Sequence, residues 1–322
     1  MPLIPLVQCL EEAEKGGYGV GAFNVNNMEQ LQGIMKAARE MNSPVIVQAS
    51  RGALRYTNFV YLKHLVQAAV EDNPDIPVVL HLDHGDSLDT VKTAIDLGFT
   101  SVMIDGSHLP FEENVALTKE VVDYAHRFGV SVEAELGTLG GIEEDIAGEV
   151  QLTDPDQAEE FVKRTGCDAL AVAIGTSHGA YKFKAEPKLE IDLVQEIYDR
   201  VKIPLVLHGA SSVPPELAER INKYGGNIVG SFGVPIPSIQ QAIARGVRKI
   251  NVDTDTRMAM TGAVRQHLAE KPDTIDPREF MGAAREAVYE VVKSRMEAFG
   301  SAGHAGDYKP LTLADMIERY NR

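Results

Sequence analysis

Eight short runs rich in valine and isoleucine recur along the chain, and longer amphipathic stretches separate them. No other feature restricts the fold as strongly. The runs occupy residues 18–25, 44–50, 77–83, 100–106, 130–136, 169–175, 203–210 and 247–255. Between them apolar residues recur at helical spacing, as in 28–42, 87–98 and 192–200. Continuously apolar strands alternating with helices predict a parallel sheet covered on both faces. Eight such units over about 240 residues fit an α/β fold of the TIM-barrel type, a closed (β/α)8 barrel, better than an open doubly wound sheet. No GxGxxG turn follows the first run, so the usual sign of a dinucleotide fold is missing.

Three segments exceed the bare repeat. Residues 137–150, rich in glycine and acids, read as a mobile loop after the fifth strand. Residues 227–246 add a loop and helix before the eighth strand, and 276–299 carry a strong helical pattern that could pack on the barrel or on a neighbouring subunit. No Pro/Ser-rich linker interrupts the chain, so residues 1–322 are expected to form a single TIM-barrel domain with extra C-terminal helices.

Charge narrows the partners. The formal net charge is −16 with no long Lys/Arg run, which argues against nucleic acid or an anionic membrane as the main partner. A small anionic substrate then requires a local cluster of cations and backbone N–H groups. Two isolated cysteines, Cys9 and Cys167, make neither a disulfide framework nor a thiolate metal site. No signal peptide is evident at the start and no stretch approaches the ~18 apolar residues of a spanning helix, so a cytoplasmic protein is expected.

Polar residues collect at the carboxyl ends of the runs: Asn24, Ser50, Asp83, His84, Asp105, Glu133, Glu135, His178, His208, Asn251 and Asp253. In an α/β barrel these ends converge on one mouth, where active sites are built. Taken singly, Asn24, Ser50 or Asp105 is equally well a turn or cap residue; a polar group at every strand end is not so easily dismissed. Of the nine histidines, His84, His178 and His208 each adjoin a glycine at a strand end. Three neutral imidazoles with an open fourth position are a common catalytic zinc arrangement, whereas a lone histidine at a barrel mouth reads as an acid–base or hydrogen-bonding group. His81 alternates with Asp83 and is expected inside the barrel below the site. Glu133 and Glu135 share a face, and buried carboxylates there need a metal, a lysine or an arginine. Asp83 is placed for acid–base work.

Two phosphate cradles are expected. HGASSVPPEL, after the seventh run, offers a Gly/Ser turn with free N–H groups at a helix start, and NVDTDTR, after the eighth, offers Asn251, Asp253 and Thr254. Lys182, four residues past His178, adds a point charge.

The motifs HLDHG, EAELGTLGG, GTSHGAYK, HGASSVP and NVDTDTR, with YGVGAFNVNN before them and DPREFMGAAREA after, resemble the class II fructose-bisphosphate aldolases. This resemblance implies aldol cleavage of fructose 1,6-bisphosphate to dihydroxyacetone phosphate and glyceraldehyde 3-phosphate through a zinc-stabilised enediolate. It implies that His84, His178 and His208 hold Zn2+, and that Asp105 and Glu135 serve a second or alternative metal position. Glu144, chosen over Glu143, would take the proton that generates the enediolate, and Asp83 would serve the aldehyde oxygen. Asn24 joins the substrate site. Gly179, Lys182, Gly209, Ser211 and Thr254 would surround one phosphate, while Asn251 and Asp253 orient hydroxyls. Ser50, Arg257 and Arg278 would take the other phosphate, Arg278 from a neighbouring subunit. A monovalent cation (Na+ or K+) near the first phosphate and a homo-oligomer, dimer or tetramer, are implied too.

Tagatose-bisphosphate aldolases share the zinc site but resemble NVATE at the eighth strand, so NVDTDTR with Asp253 and Arg257 favours the fructose isomer. A Schiff-base aldolase needs a desolvated lysine at the mouth. The sixth strand has none, and Lys249 lies one step too deep. A metal-binding barrel with a non-catalytic role would have lost Asp83 or the loop acids, and this chain keeps both.

Overall fold

The computed structural model describes residues 3–143, 146–148, 151–178, 187–230 and 232–322. Each of the eight apolar runs supplies one barrel strand: β1 Val20–Asn24, β2 Val45–Ser50, β3 Val78–Gly85, β4 Ser101–Ile104, β5 Ser131–Leu136, β6 Ala169–Val172, β7 Leu205–Leu207 and β8 Val247–Val252. They pair in parallel in sequence order, and β1 closes the barrel against β8. The three sampled helical patterns become Met28–Glu40, Leu88–Asp96 and Ile191–Val201.

Strand alternation divides the side chains. One set faces the outer helices and forms the main apolar cluster, with Phe23, Val47, Leu80, Leu82, Val102, Ile104, Val132, Leu170 and Ile250 all essentially buried. The other set faces inward. Near the amino ends it is apolar: Val20, Ala22, Ile46, Val79, Ala169, Ala171 and Val206 cluster with Ile4, Leu6, Cys9, Leu10 and Ala13 from the first helix, Leu6–Gly16, and its approach. That helix plugs the floor of the barrel.

The helix Pro277–Phe299 packs on the barrel's own outer layer, against Met28–Glu40 and Thr254–Glu270. Gly33 permits this contact, since a Cβ there would sit 2.8 Å from the Arg285 carbonyl oxygen. The last helix, Leu313–Tyr320, starts in a Thr312–Asp315 capping box and returns to the barrel floor. The loop expected over 137–150 contains two short paired strands. Gly140–Glu143 pairs antiparallel with Ile146–Gly148, and in parallel with the short strand Ser177–His178. The expected helix before β8 is Ile236–Ile243. Among the described residues no helix is long and apolar enough to cross a membrane.

Candidate active site

The inward-facing positions turn polar towards the carboxyl end, where the strands bring together residues far apart in sequence. Asp83, near the end of β3, accepts hydrogen bonds on both carboxylate oxygens: Asn24 Nδ2 donates to Oδ2 at 2.8 Å and Asn251 Nδ2 to Oδ1 at 3.3 Å. Gln48 Nε2 in turn donates to Asn24 Oδ1 at 2.7 Å. Asp83 is 2% exposed, so two fixed amides replace most of its hydration.

Asp83 and His84 are adjacent, and on a regular strand they would point to opposite faces. A register shift between β3 and β4 and a left-handed backbone at His84 (φ 49°) break the alternation. Both side chains therefore reach the mouth, with His84 Nε2 4.0 Å from Asp83 Oδ1. Gly85 makes the bend possible, because a Cβ there would lie 2.4 Å from the Met103 carbonyl oxygen. His84 Nδ1 lies 2.9 Å from Asp105 Oδ2, whose other oxygen accepts from Ser107 N and Oγ at 3.0 and 2.7 Å. Burial disfavours the Asp105 carboxylate, but bonding to His84 and Ser107 outweighs it and holds the carboxyl below its usual range.

His208, just past β7, is fully buried, with its ring centroid 4.7 Å from that of His84. Its Nε2 lies 2.8 Å from Glu133 Oε1 and its Nδ1 3.1 Å from Glu135 Oε2. Burial alone would depress the imidazole, yet the Glu133 and Glu135 carboxylates raise its pKa to about 9. Deeper still, Glu133 Oε2 is 3.0 Å from Lys249 Nζ and 3.4 Å from His81 Nε2, and His81 Nδ1 meets Ser101 Oγ at 2.7 Å. Burial, and then the neighbouring Lys249 ammonium, push His81 well below its usual range, so it stays neutral. Burial opposes the charge on Glu133, but the Lys249 ammonium and the bond to His208 overcome it and lower its pKa.

The donor set suits a divalent metal. Asp83, His84 and His208 form one triad whose ligand atoms lie within 4.8 Å of one another, and His84, Asp105 and Glu135 form a second. Imidazole nitrogens with carboxylate oxygens match zinc and its neighbours, and the shared His84 gives two adjoining positions.

The rim is also assembled from the expected segments. Ser50 Oγ caps the helix Arg51–Thr57, accepting from Ala53 N at 3.3 Å, and Ser50 pairs in register with Asp83. Gly209 (φ 59°) lets the β7 loop pass so near the 177–178 strand that a Cβ would lie 2.5 Å from the Ser177 carbonyl oxygen. Ser211 Oγ accepts from Asp253 N at 3.2 Å, and Thr254 opens the helix Thr254–Glu270.

The expectation of free N–H groups along HGASSV needs correcting. Ser212 N and Val213 N donate to Asp255 at 3.1 and 2.8 Å, and Arg295 Nη2 is 2.9 Å from the same carboxylate. Those two amides are committed to holding the turn, with Val213 at φ 42°. Arg257 pairs with Asp253 at 2.6 Å, while Arg278, 88% exposed, pairs with its neighbour Asp276 and touches none of the described mouth residues. Glu144, Gly179 and Lys182 lie outside the described residues, and of His178 only the backbone is described.

Sequence reasoning missed Gln48, Asp255 and Arg295. Gln48 carried a signal: it is a polar residue two positions from Ser50 within an apolar strand. Asp255 and Arg295 carried none, since their pairing joins segments 40 residues apart.

The profile described as "Fructose-bisphosphate aldolase class-II" matches residues 4–304. The chain belongs to that family. The family's members are metal-dependent lyases, so a divalent metal is expected where the two triads meet. Relatives named fructose-bisphosphate aldolase include one from Giardia intestinalis, 62% identical over 317 residues and 98% of each chain, and one from Pseudomonas aeruginosa, 48% identical over 100% of this chain and 98% of that one. Among solved structures, the YdjI aldolase from Escherichia coli K12 superposes with a TM-score of 0.78 at 36% identity, covering 94% of this chain and 100% of that one. In this aldolase family the barrel and its mouth therefore belong together over nearly the whole chain.

Proposed function

We propose that the protein reversibly cleaves fructose 1,6-bisphosphate to dihydroxyacetone phosphate and glyceraldehyde 3-phosphate, using zinc held by His84, His178 and His208. Asp105 and Glu135 provide the adjoining metal position. The observation that carries this reading is the pair of donor triads sharing His84 beside a carboxylate bound by two amides. When bound, zinc supplies Lewis acidity at the ketone oxygen.

The chain's own residues supply the proton transfers. Asp83 accepts the C4 hydroxyl proton as the C3–C4 bond breaks, and the aldehyde forms on that carbon. The electron pair stays on C3, where Glu144 delivers a proton to complete dihydroxyacetone phosphate. Condensation reverses both transfers. The amides of Asn24 and Asn251 keep Asp83 in one orientation throughout, so no reorganisation accompanies the transfer.

One phosphate sits against Gly179, Lys182, Gly209, Ser211 and Thr254, with a monovalent cation beside it. The other meets Ser50, Arg257 and the partner subunit's Arg278, and Arg257 exchanges its exposed pair with Asp253 for the phosphate. Asn251 and Asp253 orient substrate hydroxyls. The partner's Arg278 in the site makes the working form a homo-oligomer, a dimer or tetramer of single-domain chains, and the cytoplasm is the compartment we assign to it.

A coupled assay of fructose 1,6-bisphosphate cleavage tests the reading. Activity should vanish with chelator and return with added zinc. Chelator-resistant activity destroyed by borohydride and substrate would indicate a lysine imine and remove the metal assignment. Cleavage of tagatose 1,6-bisphosphate alone would move the reading to that isomer.

A further inference from the structure

Lys249 is fully buried in β8, and its ammonium contacts two groups that belong to different halves of the site. On one side it lies 3.0 Å from Glu133 Oε2, and Glu133 Oε1 is 2.8 Å from His208 Nε2. On the other side it donates to Asn251 Oδ1 at 2.8 Å, and Asn251 Nδ2 donates to Asp83. We propose that Lys249 is a positioning residue that fixes, from a single ammonium group, both the His208 nitrogen offered to the metal and the amide orientation that holds Asp83. The inference rests on the function proposed above.

Each arm follows from donor and acceptor chemistry. An ammonium has three donors and no acceptor, so it fixes the polarity of everything it touches. With Lys249 donating to its oxygen, the Asn251 amide can present only its NH2 to Asp83; reversed, its oxygen would face a carboxylate. Glu133, kept as a carboxylate acceptor, takes the His208 Nε2–H. That leaves Nδ1, on the Glu135 side of the ring, as the nitrogen for a metal. Outer partners of this kind orient ligating imidazoles and commonly alter metal affinity or activity about 10–100-fold when changed. The same contacts explain why this lysine does not act as an imine former: its ammonium is bound below the ligands by Glu133 and Asn251.

The test compares the wild-type protein with Lys249→Met, and with the double variant Lys249→Met/Glu133→Gln, which removes both buried charges and so guards against misfolding from an unpaired Glu133. For each, zinc affinity is measured by chelator competition, the cobalt-substituted protein is examined by visible absorption, and kcat and KM are determined separately. The inference expects zinc affinity to weaken about 10–100-fold, the cobalt bands to shift, and kcat to fall by a similar factor with KM changing much less. Folded variants that keep the wild-type zinc affinity and cobalt spectrum overturn it, whatever happens to kcat, and so does a loss confined to metal binding with kcat intact in the fully loaded enzyme.

An independent measurement needs no variant. In cadmium-loaded wild-type protein with 15N-labelled histidine, metal coupling should appear at His208 Nδ1, and coupling at Nε2 overturns the proposal. Should wild-type protein neither bind zinc nor cleave the ketose, the functional reading itself falls. A wild-type enzyme that does both, beside unaltered variants, removes only the role of Lys249.

Discussion

The two ends of the barrel interior are built from the same strands yet follow opposite rules. Towards the amino ends, Val20, Ala22, Ile46, Val79, Ala169, Ala171 and Val206 close on Leu6 and Leu10 of the plugging helix, and apolar packing fills the space. Two residues further along the same strands stand Asn24, Gln48, His81 and His208, and beneath the metal donors Glu133 and Lys249 pair in register with the floor residues Ala169, Val20 and Val206, all six polar groups being buried. Packed apolar groups contribute stability wherever they sit, whereas buried polar groups must first recover their lost hydration. The upper layers do so through one network, from Ser101 through His81, Glu133, Lys249 and Asn251 to Asp83. The difference teaches that the floor holds the fold while the mouth fixes the direction of particular atoms, and each half should therefore fail in its own way.

The largest expected effect is Asp83→Ala. Loss of a positioned acid–base group should lower kcat by about 10²–10⁴, or roughly 3–5 kcal/mol of barrier. The same change removes a buried carboxylate but leaves the Asn24 and Asn251 amides without their acceptor, two opposed effects, so the melting temperature should change little. Steady-state kinetics beside thermal denaturation of the zinc-loaded protein reads both quantities. A variant with near-normal turnover would end the acid–base assignment, and one that unfolds would mean the mouth also carries the fold.

How far this division could be read beforehand depended on the range of the interaction. The eight strands were legible because a doubly covered strand must be apolar along its whole length, and the mouth was legible because parallel strands put all their carboxyl ends together. The direction of His81 followed from its alternation with Asp83. What pairs with what was not legible. Lys249 read correctly as too deep for an imine, but its partner Glu133 is 116 positions away, and only the barrel's register brings them together. Nor did the HGASSV turn announce that two of its N–H groups answer to Asp255, 42 or 43 positions on. The pairing of Gly140–Glu143 with Ile146–Gly148 was hidden for a local reason: the glycines and acids carry the composition of a loop, and the pairing comes from neighbours rather than from intrinsic strand preference.

Next in size is Leu10→Ala on the floor. Leu10 is fully buried against the inward valines and alanines, so truncation leaves a cavity costing about 2–5 kcal/mol. The melting temperature should fall clearly while kcat at a permissive temperature stays within about twofold, since no floor side chain takes part in the hydrogen bonds and ion pairs of the network around Asp83. Denaturant titration with parallel kinetics checks it. A drop in kcat comparable to that of Asp83→Ala would show that the two layers are mechanically coupled.

The smallest effect sharpens the comparison at its outer edge. Tyr320, in the last helix, stacks flat on His126 with ring centroids 3.5 Å apart, and its hydroxyl donates to Asp168 Oδ1 at 2.9 Å. Asp168 Oδ2 accepts from Val132 N at 2.7 Å and lies 2.9 Å from His126 Nε2, so the carboxylate ties the C-terminal helix to the start of β5. Tyr320→Phe keeps the stacked ring and deletes the half-buried hydrogen bond to Asp168 together with a longer 3.5 Å contact to Ser131 Oγ at the start of β5, which should cost about 1 kcal/mol. Asp168 retains its other two partners, so the loss should stay local, appearing as faster amide exchange in Leu313–Tyr320 with the barrel strands unchanged. Faster exchange reaching β5, where Glu133 and Glu135 stand, would instead show that the floor's outermost tie helps to hold the mouth's carboxylates. The separation between a stabilising floor and a directing mouth would then stop short of β5.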